Sequence, residues 1–137
     1  MTAKEYLRQI STINMKLASM RWQIQSLKDA AVNVTPVLND MPKAATADIH
    51  RMEGLIVAKV DLESEVAELT AKLVSITRTI NSLPDSTHAA ILTGRYIRAM
   101  EWREIADELH ISQGRIFQLH RDALAALEKS IADYSRL

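Results

Sequence analysis

Two long stretches of the chain repeat their apolar residues at helical spacing, and this limits the fold more than any other feature. In residues 3–31, Leu7, Ile10, Ile13, Leu17, Met20, Ile24, Leu27 and Ala31 recur at steps of three or four and draw one stripe along a helix. Along residues 47–82 and the residue that follows, Leu62, Val66, Leu69, Leu73, Ile76, Ile80 and Leu83 alternate steps of four and three, which is a heptad seam. The seam runs back through Met52 and Leu55, with Lys59 interrupting it. Strand-rich folds need many turn residues, and this chain of 137 residues has three Gly and three Pro. An all-α fold is expected.

The stretch from Val32 to Thr46 holds Asn33, Pro36, Asn39 and Pro42 and reads as a loop, with Thr46 the N-cap of the second helix and Asp48 near its positive end. The two long helices are expected to pair as an antiparallel hairpin, a coiled coil over residues 1–82. Lys59 either fixes the register of that pairing or snorkels out of it, and snorkelling is favoured. Met15, Ala18 and Trp22 form a second stripe on the first helix, and Ile56, Val60, Ala67 and Val74 widen the stripe of the second. Both ask for a third packing partner, either the C-terminal domain or a second copy of the chain. The expectation is a homodimer.

Charge excludes nonspecific attraction of a whole domain to DNA. Lys and Arg number 17, as do Asp and Glu, and residues 1–82 and 83–137 are each nearly balanced. With no cysteine, disulfides, thiol chemistry and thiolate zinc sites are excluded. No apolar run has the length of a signal peptide or a membrane span, so a cytoplasmic location is expected. His50, His88, His110 and His120 include no pair at the spacing of a helical metal site, and His88 reads as a surface residue. Gly54, Gly94 and Gly114 are isolated, so no phosphate-cradling loop is expected. Glu63, Glu65 and Glu68 read as a solvated face. Nothing pairs a nucleophile with a base. We expect no enzyme, no cofactor and no metal.

The C-terminal part, residues 83–137, carries the informative pattern. Pro84 ends the second helix and can open the next, a short helix over about 85–99. Two further helices follow, over about 102–109 and 113–131. Between Trp102 and Arg121 the sequence reads WREIADELHISQGRIFQLHR. Ile105, Leu109, Ile111, Ile116 and Leu119 take the positions that point into the small shared core of a helix-turn-helix. Ala106 falls where the two helices come closest, and Ser112 is a suitable N-cap for the second. The turn position, usually Gly because φ there is often positive, is His110, and His tolerates that conformation better than most residues.

Leu83, Pro84, Ile91, Leu92, Arg95, Tyr96, Ile97, the run from Trp102 to Ala106, Leu109, Ile111, Ser112, Ile116, Leu119, His120, Ala123 and Leu124 together resemble region 4 of bacterial sigma factors. In that family the domain reads the −35 promoter element and touches the polymerase flap. The N-terminal run from Ala3 to Leu7 and the run from Val60 to Glu63 are similar to those of small phage and prophage sigma-like proteins, neighbours of the ArpU-like late-gene regulators. The family often has Gly and Ser where this chain has Ala99 and Glu101. The resemblance implies a sigma-like helix-turn-helix domain, double-stranded DNA as partner and RNA polymerase as a further one.

With Ser112 capping the last helix, Gln113, Arg115, Phe117, Gln118 and Arg121 are the candidate DNA-binding residues. Arg and Gln suit bidentate readout of guanine and adenine edges. Phe117 either meets a thymine methyl or docks on a protein. Gly114 either admits a close backbone approach or is a neutral surface residue. From Ser112 to Arg121 there are two Arg and no acid, a local basic patch. Three functions fit: a phage-type transcription regulator that reads DNA, a DNA-packaging protein resembling small terminase subunits, and a polymerase-binding adaptor that reads no DNA. The terminase reading is disfavoured because in those proteins the DNA module comes first in the chain.

Overall fold

The computed structural model describes residues 1–34 and 42–135, and among them every regular element is helical. Five α-helices occur in chain order: α1 Ala3–Val34, α2 Pro42–Asn81, α3 Ser86–Leu92, α4 Trp102–Leu109 and α5 Gln113–Ser135. A π-helical turn, Thr93–Ile97, continues α3. No helix among the described residues is long and apolar enough to cross a membrane.

The ends of the long helices correct the expected loop. α1 starts on a capping box, in which Thr2 Oγ1 accepts from the Glu5 amide and Glu5 Oε2 accepts from the Thr2 amide, both at 3.2 Å. It runs on to Val34, past the expected break. α2 begins at Pro42, so Thr46 lies inside the helix and is not its N-cap. Proline suits a first helical position, because its missing N–H would have had no partner there. The part of the expected loop at residues 35–41 lies outside the described residues.

The contacts divide the chain into two compact units, Met1–Ile13 with Lys72–Leu137, and Asn14–Ala71. In the first, the beginning of α1 buries Ala3, Leu7, Ile10 and Ile13, and the end of α2 with the residues after it buries Ile76, Ile80 and Leu83. Tyr6 Oη donates to Thr79 Oγ1 at 3.0 Å and ties these two helical ends together. The C-terminal helices bury Ile91, Leu92, Ile105, Ala106, Ile116, Ala123 and Leu127.

In the second unit Leu17 is buried, while Met20, Ile24, Leu27, Met52, Leu55, Leu62, Val66 and Leu69 are half-buried. Asp48 is buried, 3.9 Å from Arg51, and its Oδ2 has no hydrogen-bond partner among the described residues. Lys59 is half-exposed and reaches Glu63 Oε1 at 3.5 Å, one helical turn on.

Candidate nucleic-acid interface

The site is built upward from the turn after α2. Asp85, not Pro84, starts α3: its carboxylate accepts from the Thr87 amide at 2.8 Å. That backbone hydrogen bond, with His88 3.6 Å away, holds the Asp85 carboxyl below its ordinary pKa. His88 is thereby half-buried against the helix start rather than a free surface residue. At Thr93 the helix widens into the π turn, which closes when the Arg98 amide donates to the Thr93 carbonyl at 3.0 Å. The Met100 amide then reaches back to the Gly94 carbonyl at 2.9 Å, and Ala99 between them takes a left-handed φ of 53°. Gly94 is buried, and a Cβ there would stand 3.1 Å from Ile105 Cγ1. Here the π turn packs against Ile105 of α4, a role that the isolation of Gly94 in the sequence does not reveal.

α4 opens with a capping box, in which the Glu104 carboxylate accepts from the Glu101 amide at 3.3 Å. The Glu104 side chain thereby satisfies the backbone N–H of the N-cap residue Glu101. α4 ends at His110, whose φ of 57° is left-handed. There the Ile111 amide donates to the Ala106 carbonyl at 2.9 Å, which satisfies a carbonyl the helix end leaves open. Ser112 Oγ accepts from the Arg115 amide at 3.2 Å and starts α5. Ile91, Ile105, Ala106 and Ile116 form the buried core between these helices, with Leu109, Ile111 and Leu119 partly buried against it. Every apolar position expected from the spacing is in this one cluster.

With Ile116, Ala123 and Leu127 turned inward, α5 presents the opposite face to solvent. Gln113, Gly114, Arg115, Gln118 and Arg121 are exposed, as is the N-cap Ser112. Arg115 Nη1 donates to Gln118 Oε1 at 2.9 Å, so these two candidates form a pair. Phe117 is half-exposed, with its ring edge-on to Trp102 at 5.6 Å. No Cβ contact would meet a side chain added at Gly114.

Beside that face lies a network that sequence spacing does not mark. Tyr96 Oη and His120 Nε2 lie 2.9 Å apart, joining residues 24 positions apart in the chain. Their rings stack at 5.9 Å, and His120 also meets Trp102 edge-on at 4.5 Å. On Trp102 rests the Arg95 guanidinium, 4.6 Å from the ring, which also donates to the Met100 carbonyl at 3.0 Å. Burial, then the charges of Lys4 and Arg95, push the His120 pKa down. Burial raises the Tyr96 pKa, against the opposing pull of Arg95 and Arg8. Tyr96, Trp102 and His120 belong to the pattern that resembles sigma region 4, but their spacing does not show that they meet. Among the described residues no group of acidic and histidine side chains is arranged to hold a metal ion.

Residues 42–128, from the start of α2 into α5, match the family described as "Protein of unknown function (DUF1492)". The chain belongs to the DUF1492 family. The region that matches contains the whole α3–α4 assembly and every candidate DNA-binding residue of this DUF1492 chain. Comparison with curated proteins and with solved structures gives no match.

Proposed function

We propose that this chain is a sequence-specific DNA-binding transcription regulator of phage type, with α4 and α5 as its helix-turn-helix and α1 and α2 as an antiparallel hairpin that joins two copies. The observation that carries the reading is the division of α5. Its inner side closes a core with α4, while Gln113, Arg115, Gln118 and Arg121 stand exposed beside a left-handed turn and a serine cap. In helix-turn-helix proteins the second helix enters the major groove and reads bases with its first turns. The resemblance to sigma region 4 points the same way and adds RNA polymerase as a second partner.

The roles follow from chemistry and position. Gln113, on the first turn, discriminates bases without releasing counterions. Arg115 and Gln118 act as a pair: with the Gln118 carbonyl engaged, the pair offers chiefly N–H donors, which suits the two acceptors on a guanine edge. Arg121, two turns along, meets a phosphate. The test is selection of bound sequences from a random DNA pool, followed by isotherms at several salt concentrations. Gln113→Ala or Gln118→Ala should cost about 1–3 kcal/mol at one base pair and relax specificity there. Arg121→Ala should weaken selected and scrambled DNA alike and lower the salt slope by about 1. Three such variants with unchanged affinity and specificity would remove DNA readout from α5.

One observation favours a second reading. Phe117 offers a half-exposed aromatic ring on the same face, which suits a protein surface as well as a thymine methyl. Retention of RNA polymerase with no retention of any duplex would make the chain an adaptor.

A further inference from the structure

Outside the face of α5, the first compact unit holds a cavity of about 330 Å³ lined by Leu7, Arg8, Ser11, Arg95, Tyr96 and Ala99. Its polar lining residues are Arg8, Ser11, Arg95 and Tyr96, with no acidic residue among them. Arg8 is exposed on α1 and makes no hydrogen bond or ion pair among the described residues. Arg95 has a fixed position, stacked on Trp102 and bonded to the Met100 carbonyl. A guanidinium has five N–H donors, so one such bond leaves most of Arg95's capacity unused. The positive field is also felt beyond the cavity, where Lys4 and Arg95 both disfavour a proton on His120. One arginine held in place, a second free to turn towards it, and no acidic residue among the lining form a surrounding that suits a phosphoryl group.

We infer that this cavity binds phosphate, and that the phosphate is a backbone phosphodiester of the DNA on which α5 sits. The second half of that statement rests on the proposed function. Tyr96, in the cavity wall, touches His120, and His120 is the neighbour of Arg121 on α5. Tyr96 thus joins the cavity to the inner side of the proposed recognition helix, and a phosphate held there adds a contact from α1, a helix outside the helix-turn-helix itself. Such a contact carries no sequence information. It fixes the register of the protein on the duplex.

The experiment compares wild type, Arg8→Gln and Lys16→Gln, the last removing an exposed charge from α1 outside the cavity. Isotherms on a selected and a scrambled duplex are measured from low to high salt. In parallel, the Tyr96 and Arg8 NMR signals are followed as inorganic phosphate is added. Losing one phosphate contact should lower the slope of log affinity against log salt by about 0.9, a loss of roughly eightfold at 0.1 M relative to 1 M salt. The inference expects this loss for Arg8→Gln on both duplexes, an unchanged melting temperature and an unchanged slope for Lys16→Gln. Wild-type binding that Arg8→Gln leaves untouched overturns the site and leaves DNA readout by α5 standing. Equal losses from Arg8→Gln and Lys16→Gln also overturn it, as a diffuse charge effect. Should wild type bind no duplex, the DNA reading fails, and the phosphate titration decides alone. Arg8-dependent shifts then keep the phosphate site and overturn DNA as its source, and their absence overturns both.

Discussion

Ala99 and His110 hold φ of 53° and 57°, a region in which an L side chain crowds its own carbonyl. Glycine has no Cβ to crowd, but it loses more chain entropy on folding, so part of the gain is offset. Ala99→Gly should therefore raise stability in chemical denaturation by about 1 kcal/mol. His110→Gly should gain less, since histidine is among the residues that tolerate this region. An unchanged midpoint for Ala99→Gly would contradict a left-handed residue there. Gly114 is the opposite case. It is exposed near the start of α5 with open space where a Cβ would go. Gly114→Ala should stabilise the helix by up to about 1 kcal/mol. If the backbone at Gly114 approaches DNA, the same variant should bind more weakly while melting higher, and equal affinity would make Gly114 a neutral surface residue. His110 was legible because the motif fixes which position turns the chain. Ala99 was not, because its conformation comes from the bond between the Met100 amide and the Gly94 carbonyl, which no spacing announces.

Between elements, the contact of α4 with α5 was the most legible part of the molecule. Ile105, Ala106, Ile116 and their neighbours were placed by spacing, and all are in one core cluster. Ala106 is fully buried there, so Ala106→Leu should overpack the contact and cost about 1–3 kcal/mol of stability. No loss of thermal stability would mean that the register is wrong. Helix ends were less legible, since prolines at 36 and 42 read as a loop while the local chain at 42 uses its proline to begin α2. The contact of the π turn with α5 was not legible at all. Tyr96 and His120 meet only after the chain has folded around Trp102, and the burial of His120 there makes stability depend on pH. The folded-state pKa of His120 lies below its ordinary 6.5, so between the two values the unfolded chain binds more protons. This stabilisation is complete above about pH 6.5 and is lost as pH falls through the window below it. The melting temperature of wild type should drop from pH 7.5 to 5, and His120→Gln should drop less steeply. Equal slopes for the two proteins would show that His120 titrates alike in both states. Asp85, whose carboxyl is also depressed, adds a second loss only at more acidic pH, below its ordinary 3.8.

At the scale of the whole molecule, the balance of buried and exposed apolar surface argues for assembly. Among the described residues of the unit Asn14–Ala71, Leu17 is the one apolar side chain that is fully buried. Met15, Trp22, Val32, Ile49, Ile56, Val57 and Val60 of the same unit are exposed, and Trp22 is 73% exposed. Among the described residues, Trp22 is not covered by its own unit. On α2, exposed Val60, Ala67 and Val74 follow at seven-residue steps, the spacing of a second heptad seam beside the first. Scattered single apolar residues need no explanation, but a repeated stripe on one helix does. In the proposed homodimer these stripes meet their counterparts in a second copy, and two recognition helices then address two half-sites, which supplies the affinity a lone helix-turn-helix lacks. Light scattering at micromolar concentration should give twice the chain mass of 15.4 kDa. Ile56→Asp combined with Val60→Asp should give the monomer mass, because both substitutions place charge on the stripe without touching a buried side chain. The monomeric variant should retain its helical circular dichroism and bind a palindromic site at least tenfold more weakly, a change of about 1.4 kcal/mol. A wild-type monomer throughout the micromolar range would sink the dimer and leave the exposed stripe for a different protein to cover.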